Sequence, residues 1–301
     1  MATKRLYEPE ELAKRLSTEN VGVLVVEADF VFSEVFESAR CLKFVGVCRA
    51  ALNQVDIDSA TANGVVVTNT PARNAVAVAE LTVGLFLSLA RRIPEAHNMV
   101  QSRKWDDPVT PYIKLRGSEL AGKTAGLIGL GAIGRMVAKR LIAMDMKLLA
   151  YDPFLKSAMA AGLGVELVDL DTLLAKSDFV SVHVPGDSGT SGMIAGPQLV
   201  RMRRSSYLIN TSAAGVVDED ALVKALGEKR IAGAALDVFA GQPLPPTSPL
   251  LDLDNVVLTP HIGGATRETV QRYSQMISED LMLFLEGQRP IRLANPEVWK
   301  D

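Results

Sequence analysis

The stretch from Lys123 to Pro153 constrains the fold of this chain more than any other part of the sequence. An apolar run, Thr124 to Ile128, is followed by the hexapeptide GLGAIG at residues 129–134 and then by a helical pattern. A second apolar run, Lys147 to Tyr151, ends at Asp152. This order of strand, glycine turn, helix, strand and acid predicts a βαβ unit with two parallel strands.

The glycines of this turn and the acid that follows it each have a physical role at a dinucleotide site. Gly129 allows a tight turn out of the strand, Gly131 allows close approach of a pyrophosphate, and Gly134 lets the helix pack near the strand. The pyrophosphate would lie at the positively polarised N-terminus of the helix. Asp152 can accept hydrogen bonds from both ribose hydroxyls and would repel a 2′-phosphate, which favours NAD over NADP. A glycine-rich turn alone is also compatible with a βαβ unit that binds no ligand, but the surrounding strand, helix and acid favour the NAD site.

The composition limits the partners and the compartment. The chain has 301 residues, enough for two domains, and a net charge of −3 with acidic and basic residues interspersed. Without a basic stripe, a nucleic-acid partner is not expected. Cys41 and Cys48 lack metal-ligand spacing and no signal peptide precedes them, so we expect a cytoplasmic protein without a metal site. The longest apolar stretch, Ala75 to Ala90, is interrupted by Glu80 and Thr82 and is too short to span a membrane.

Strands that alternate with helices along the whole chain predict an α/β fold with parallel sheets. We expect residues 98–266 to form a doubly wound, Rossmann-type cofactor domain, and residues 1–97 with 267–301 to form a second domain. A polar loop around Trp105 is expected to carry the chain between them, and a long amphipathic helix, Ala265 to Glu286, to return it. The later strands of the cofactor domain are expected at Val165–Leu167, Phe179–Val184, Tyr207–Asn210, Gly233–Leu236 and Val256–Leu258.

A helix from Ala75 to Arg92 is apolar on nearly all sides. Asn74 is placed to cap its N-terminus. A helix of this composition must be covered all round. Two arrangements would cover it: packing against its twin in a homodimer, or burial within its own domain.

In an open α/β sheet the ligand lies beyond the carboxyl ends of the strands. The loops after the last four strands read HVPGDSGT, NTSAAG, DVFAGQP and TPHIGG. His261 lies in the last of these and is the best placed of the three histidines for proton transfer, because imidazole titrates near neutral pH. A lone loop histidine is otherwise more often structural or solvated.

Seven ordered groups of residues cover nearly the whole chain: Asn74–Ala75 with Ala77–Glu80, Gly129–Gly134 with Asp152, His183–Pro185, Asn210–Thr211, Val217–Glu219, Leu236–Phe239 and Thr259–Gly264. Together they resemble the D-isomer-specific 2-hydroxyacid dehydrogenases. The resemblance implies a two-domain, NAD-dependent oxidoreductase, usually a homodimer, that closes over a small 2-oxo or 2-hydroxy acid. It also implies a flavodoxin-like fold for the substrate domain.

The resemblance further implies which residues hold the cofactor and which one moves a proton. His261 corresponds to the family's acid/base, which gives a proton to the keto oxygen while NADH delivers a hydride. Asp237 would lie near the nicotinamide amide. The other NAD contacts map onto Gly129, Gly131, Ala132, Ile133, Gly134, Asp152, Pro185, Thr211, Ser212, Gly263 and Gly264, together with His261 itself.

One departure from the family concerns the substrate carboxylate. The family normally has an arginine at the position of Ala213, where it binds the carboxylate and polarises the carbonyl. A methyl group can do neither. Because a hydrogen bond from a charged donor contributes about 1.5–3 kcal/mol, loss of a two-pronged contact would cost about 3–6 kcal/mol, or roughly two to four powers of ten in binding and rate.

A second departure is Gln242, where most of the family has a glutamate paired with the histidine. A carboxylate would stabilise the imidazolium, whereas an amide oxygen orients the ring without adding charge. The family's formate dehydrogenases also have glutamine there, but they keep the arginine. Full identity with a formate dehydrogenase is therefore not expected.

Two arginines are candidates to replace the missing cation. Arg49 lies in a loop of the first domain that faces the substrate in relatives, and Arg73 precedes the apolar helix. We expect Arg49 to contact the substrate carboxylate; a surface or interdomain salt bridge is the alternative role.

The N-terminus is a third departure, because family members generally begin with a strand and helix before the region that matches Arg5 to Leu16. Either the first domain is trimmed, or residues 5–7 replace its edge strand. An incomplete sheet would leave an exposed edge.

Two functions from different classes follow. The first is a 2-hydroxyacid dehydrogenase with His261 as acid/base, Gln242 orienting it and an altered pocket at Ala213. The second is a catalytically silent relative that binds NAD(H) and acts as a sensor or protein partner. Only turnover separates them.

Overall fold

A computed structural model describes residues 6–299 and shows a mixed α/β fold with parallel sheets. The strands are β1 (Val23–Val26), β2 (Phe44–Val47), β3 (Val66–Thr68), β4 (Thr124–Ile128), β5 (Lys147–Tyr151), β6 (Glu166–Leu167), β7 (Phe179–Val182), β8 (Tyr207–Asn210), β9 (Gly233–Leu236) and β10 (Val256–Leu258). The α-helices are α1 (Pro9–Thr18), α2 (Ser33–Ser38), α3 (Ile57–Ala62), α4 (Ala75–Arg91), α5 (Ile93–Gln101), α6 (Val109–Lys114), α7 (Ala132–Ile142), α8 (Ser157–Ala161), α9 (Leu170–Lys176), α10 (Gly196–Arg201), α11 (Glu219–Gly227) and α12 (Arg267–Leu285).

The chain divides into two compact units. The first unit contains the residues up to Arg73 and those from Thr266 onward, and the second unit runs from Asn74 to Ala265. The chain returns to the first unit after Ala265, next to the predicted boundary after residue 266. It passes from the first unit to the second after Arg73, well before the predicted boundary after residue 97. The reason is that α4 packs against α7 and against β8, β9 and β10, all of which belong to the second unit.

The second unit is built on a seven-stranded parallel sheet of order β10-β9-β8-β7-β4-β5-β6. One face of the sheet packs against α4 and α7, and the other packs against α9, α10 and α11. The central strands β7, β8 and β9 are therefore almost wholly buried, as expected for parallel strands covered on both sides. Strand order reverses between β4 and β7, which is the switch point where open α/β sheets bind ligands. The predicted doubly wound sheet is confirmed.

The first unit has a three-stranded parallel sheet of order β1-β2-β3. A segment near the C-terminus lies along the outer edge of β3, where Oδ1 of Asn295 accepts from the amide of Val67 at 2.9 Å and Nδ2 donates to the carbonyl of Val65 at 2.9 Å. A side chain thus pairs with backbone groups that a further strand would otherwise satisfy. Of the predicted edge segment, Arg5 lies outside the described residues, and Leu6 and Tyr7 belong to no strand.

The apolar helix α4 is largely buried within its own unit, which is the second of the two predicted arrangements. Leu81, Val83 and Leu87 on the same helix are only partly buried. The predicted cap is wrong: the Asn74 side chain makes no capping hydrogen bond, and instead lies against Gly264, where a Cβ would approach Nδ2 to 3.1 Å.

The region around Trp105 is also different from the prediction. It contains α5 and α6, belongs to the second unit, and does not carry the chain from one unit to the other. Several of its apolar side chains face outward, with Trp105 59% and Tyr112 77% exposed. Among residues 6–299, no helix combines the length and apolar character needed to cross a membrane.

Candidate active site

The loops that follow six parallel strands of the second unit lie at one edge of its sheet. They are the glycine turn after β4, the acid after β5, and the loops after β7, β8, β9 and β10. Most of the predicted cofactor residues and the predicted acid/base lie on these loops, because parallel strands place all their carboxyl ends on the same side. The two predicted arginines lie in the first unit.

The glycine turn has the geometry that each glycine was expected to provide. Gly129 has φ of +93°, and a Cβ on it would lie 2.8 Å from the carbonyl oxygen of His183. A Cβ on Gly134 would lie 2.2 Å from the carbonyl oxygen of Gly129, so helix and turn pack too closely for any side chain. Gly131 is the residue preceding α7, and a Cβ on it would meet nothing within 4 Å. An open surface therefore lies at the N-terminus of the helix.

This open surface fits a pyrophosphate. Ala132 and Ile133 form the first turn of α7, where backbone N–H groups have no acceptor within the helix. The helix dipole adds a partial positive charge at the same point. The turn thus offers donors, charge and space for a phosphate group, which are the properties that a dinucleotide requires.

Asp152 is fixed beside the glycine turn. Its Oδ2 accepts from the amide of Leu130 at 2.9 Å, and its Oδ1 accepts from the amide of Phe154 at 3.0 Å. Each carboxylate oxygen has a second lone pair, and the side chain is half-buried. The acid can therefore still accept hydrogen bonds from ribose hydroxyls.

The loop after β8 is folded by Asn210. The Oδ1 atom accepts from the amide and hydroxyl of Ser212 at 3.1 and 3.0 Å, and Nδ2 donates to the carbonyl of Ala213 at 3.0 Å. Thr211 is buried, and its hydroxyl lies 2.8 Å from that of Thr82 on α4. Thr82 was not predicted as a site residue, since a threonine inside an apolar helix carries no motif.

Ala213 lines a cavity of about 460 Å³ with Gly186, Asp187, Ser188, Ser191 and Gly215. A Cβ on Gly186 would lie 2.8 Å from the Ala213 methyl group, so the loops after β7 and β8 meet at this point. Asp187 is the charged residue of this lining, and no cation belongs to it. Ala213, where the family resemblance implied an arginine, therefore provides no positive charge to an anionic group. Pro185 lies in the same β7 loop, where its carbonyl oxygen accepts from the Thr190 hydroxyl.

His261 and Gln242 are paired, although they lie on different loops. The Nδ1 atom of His261 is 2.7 Å from Oε1 of Gln242, whose Nε2 donates to the carbonyl of Phe239 at 3.3 Å. Because the amide donates toward Phe239, its oxygen faces the imidazole, and Nδ1 carries the proton. Nε2 of His261 is then the ring atom left for proton exchange.

The backbone of His261 is in the left-handed region, with φ of +55°. The turn that carries it is held by Asp237, whose buried carboxylate accepts from the amides of Ile262 and Gly263 at 2.8 and 2.7 Å. Gly264 follows and packs on Asn74.

Arg73 and Arg49 differ sharply in their surroundings within the first unit. Arg73 lies 3.6 Å from Oε1 of Glu27, and its guanidinium is 5.1 Å from the ring centroid of Tyr273. Arg49 comes soon after β2 and is exposed. Across residues 6–299, no carboxylate forms an ion pair with Arg49. Arg49 therefore has fewer charged and aromatic partners than Arg73.

His183 lies directly beneath the glycine turn. Its ring is buried, neither nitrogen has a hydrogen-bond partner among the described residues, and burial lowers its pKa to about 4. The ring is therefore neutral at physiological pH. Within the described part of the chain, no three histidine, cysteine or acidic residues are grouped as a metal site would require.

Comparison with known proteins agrees with this geometry. Residues 83–263 match the family model described as "D-isomer specific 2-hydroxyacid dehydrogenase, NAD binding domain". The chain is 45% identical to a glyoxylate reductase of Thermofilum pendens, over 97% of this chain and 86% of that protein. It is 44% identical to a D-3-phosphoglycerate dehydrogenase of Archaeoglobus fulgidus over 91% of this chain, but spans only 51% of that longer protein.

Solved structures give the same result. The NAD-complexed D-isomer specific 2-hydroxyacid dehydrogenase of Lactobacillus delbrueckii ssp. bulgaricus superposes with a TM-score of 0.81 at 29% identity, covering 94% of this chain and 89% of that one. The apo D-lactate dehydrogenase of Escherichia coli superposes with a TM-score of 0.82 at 29% identity, again covering 94% and 89%. With the glycine turn, the acid after β5 and the parallel sheet, these matches establish that the chain belongs to the D-isomer-specific 2-hydroxyacid dehydrogenase family and is an NAD-dependent dehydrogenase.

Proposed function

We propose that this protein interconverts a 2-oxo acid and a 2-hydroxy acid, with His261 as the acid/base. The observation that carries the proposal is the 2.7 Å pair between His261 and Gln242 at the sheet edge that also carries the glycine turn. The names of the relatives, glyoxylate reductase and D-3-phosphoglycerate dehydrogenase, support small 2-oxo acids as the substrate class.

When bound, NADH supplies the hydride that reduces the carbonyl carbon. The glycine turn and Asp152 would hold the dinucleotide, with Pro185, Thr211 and Ser212 lining the adjacent loops. His261 would donate the proton on Nε2 to the keto oxygen, while Gln242 accepts the hydrogen bond from Nδ1–H. In the reverse direction, the same nitrogen would take the hydroxyl proton.

Arg49, rather than Arg73, is proposed to bind the substrate carboxylate. Arg73 already has Glu27 beside it and the ring of Tyr273 beneath it, so further pairing would have to compete with these contacts. The Arg49 side chain is exposed, and its backbone is held by the hydrogen bond from the amide of Thr70 to its carbonyl oxygen at 3.0 Å. An Arg49→Ala variant should raise KM for 2-oxo acids by roughly ten-fold or more. An unchanged KM would exclude this role, and Arg40→Ala, an exposed arginine of the same unit, is the control.

A second function is favoured by one observation, the absence of a cation from the lining of the Ala213 cavity. A protein that cannot polarise a substrate carbonyl would bind NAD(H) without turnover and act as a sensor or protein partner. We regard this as the alternative to the dehydrogenase function.

Turnover separates the two functions. NADH oxidation should be followed across a panel of 2-oxo acids for the parent protein and Ala213→Arg, beside a fluorescence titration of NADH. Turnover by the parent supports the dehydrogenase. NADH binding with turnover only in Ala213→Arg supports the silent relative, because the scaffold would then lack only the missing cation.

We further propose that the protein forms a homodimer and acts in the cytoplasm. Support for the dimer is the apolar surface of the α5–α6 region, where Trp105, Val109, Tyr112 and Ile113 are exposed. A surface of this kind commonly marks a protein–protein contact. Sedimentation velocity should give a dimer for the parent protein and a smaller species for Trp105→Glu/Tyr112→Glu; an identical mass for the two proteins would exclude this surface.

A further inference from the structure

We propose that Asp237 is a positioning residue for His261, and that it acts by holding the turn that carries the imidazole. This inference rests on the acid/base role proposed above. It adds to the role that the family resemblance implied for Asp237, which was a contact with the nicotinamide amide.

The carboxylate of Asp237 is the centre of the turn after β10. Its Oδ1 accepts from the hydroxyl of Thr259 at 2.6 Å and from the amide of Ile262 at 2.8 Å, and its Oδ2 accepts from the amide of Gly263 at 2.7 Å. Hydrogen bonds to an ionised acceptor are stronger than neutral ones. Residues on both sides of His261 are therefore tied to one carboxylate.

The turn needs this support because of the backbone of His261. Its φ of +55° lies in a region that L side chains avoid, since the Cβ crowds the following carbonyl. Within the turn itself, the amide of His261 donates to the carbonyl of Thr259 at 2.9 Å. Gly263 allows the close approach, because a Cβ there would already lie 3.0 Å from Oδ2 of Asp237. The strained backbone of His261 persists because the hydrogen bonds of the surrounding turn hold it in place.

The loop after β9 therefore controls His261 at two points. Asp237, at the start of this loop, fixes the backbone, and Gln242, farther along, fixes the ring through its 2.7 Å contact with Nδ1. If the backbone of His261 relaxes, the ring moves away from the side-chain amide of Gln242 and Nε2 no longer points toward the substrate. A proton donor displaced in this way transfers its proton poorly, because proton transfer requires hydrogen-bond distance.

The carboxylate of Asp237 is bound mainly by the protein, since three donors contact its two oxygens and the residue is 1% exposed. A contact with the nicotinamide amide would use the remaining lone pair of Oδ2 and is compatible with the role in the turn.

Thr259→Val tests the proposal, because it removes one donor from the carboxylate and leaves Asp237 in place. Asp237→Asn is the second variant, because an amide nitrogen cannot accept from a backbone N–H. Thr172→Val is the matched control: the hydroxyl of Thr172 donates to Asp169 at 2.7 Å at the start of α9, in the same unit and with the same chemistry. The measurements are the NMR signal of the His261 Cε1–H group, the Kd for NADH and kcat. The other histidines, His97 and His183, are assigned by substitution.

We expect Thr259→Val to shift or split the His261 signal and to lower kcat by roughly ten-fold, with the Kd for NADH within about two-fold of the parent. Asp237→Asn should change the signal in the same way and lower kcat further. Thr172→Val should leave all three measurements unchanged.

The proposal is overturned if Thr259→Val leaves the His261 signal and kcat as they are in the parent. It is also overturned if Asp237→Asn weakens NADH binding but leaves the His261 signal and kcat unchanged, which would indicate a cofactor contact alone. The NMR measurement needs no turnover. A parent protein that reduces no 2-oxo acid would therefore contradict the proposed function, while the His261 signal would still decide whether Asp237 holds the turn.

Discussion

Gln242 presents its amide oxygen to Nδ1 of His261 at 2.7 Å, so a neutral group holds the imidazole of the proposed acid/base. The amide nitrogen of Gln242 is in turn held by the carbonyl of Phe239 at 3.3 Å. This arrangement fixes the ring but does not compensate the positive charge that the ring carries before it donates a proton. The pH dependence of catalysis is therefore the property most sensitive to residue 242.

Gln242→Glu should extend carbonyl reduction to higher pH. A carboxylate stabilises the imidazolium, so the alkaline limit of kcat/KM is expected to rise by about one pH unit. The measurement is the pH profile of NADH oxidation. The control is Gln288→Glu, at an exposed glutamine in the segment after α12. Coincident profiles for Gln242→Glu and the parent would show that residue 242 does not govern the proton donor.

Alanine at two glycines of the dinucleotide turn should affect two different properties, NADH binding at Gly131 and stability at Gly134. Gly131→Ala should weaken NADH binding by roughly ten-fold or more and leave the unfolding free energy nearly unchanged, because its methyl group would point into the open space where a pyrophosphate is expected. Gly134→Ala should lower the unfolding free energy by about 1–3 kcal/mol, because its methyl group would collide with the carbonyl of Gly129. Urea unfolding and NADH fluorescence measure the two effects. Gly196→Ala, where a Cβ meets nothing within 4 Å, is the control. The assigned roles would be contradicted if Gly131→Ala and Gly134→Ala changed the Kd for NADH and the unfolding free energy by the same amounts.

Asp152→Asn should reduce the preference for NADH over NADPH. The carboxylate would repel a 2′-phosphate, whereas an amide of the same shape would not. We expect the Kd for NADPH divided by the Kd for NADH to fall by roughly ten-fold, which corresponds to about 1.4 kcal/mol. Fluorescence titrations with both dinucleotides check this, and a ratio equal to that of the parent would argue against a ribose contact by Asp152.

His183 should make the protein less stable in mild acid. Burial lowers the pKa of its ring from 6.5 to about 4, so the unfolded chain takes up a proton below about pH 6.5 that the folded protein does not. Stability from this residue is complete above that pH and decreases as the pH falls toward 4. The expected loss is about 2 kcal/mol of unfolding free energy between about pH 7.5 and about pH 5.

Urea unfolding at these two pH values tests the effect of His183. His183→Asn should lose less stability over the interval than the parent, whereas His97→Gln, at an exposed histidine of α5, should behave like the parent. An unchanged pH dependence in His183→Asn would mean that other groups account for the loss.

Much of the cofactor site was determined by the sequence alone. The bounds of β4, β5, β8, β9 and β10 agree with the predicted strands. The glycine turn and its acid were also predicted, because the spacing of a βαβ unit and the steric limits on residues in a tight turn are local properties. The NAD cofactor followed from the same residues.

Only the tertiary structure decided the features that depend on distant partners. The first crossing between units lies at Arg73 because α4 packs with strands that come more than a hundred residues later in the chain. Arg73 is engaged by Tyr273, which lies two hundred residues away, and this leaves Arg49 as the freer arginine. The carboxylate of Asp237 holds the His261 turn because β9 and β10 are neighbours in the sheet. No periodicity or motif encodes such contacts, since they arise only when the strands have paired.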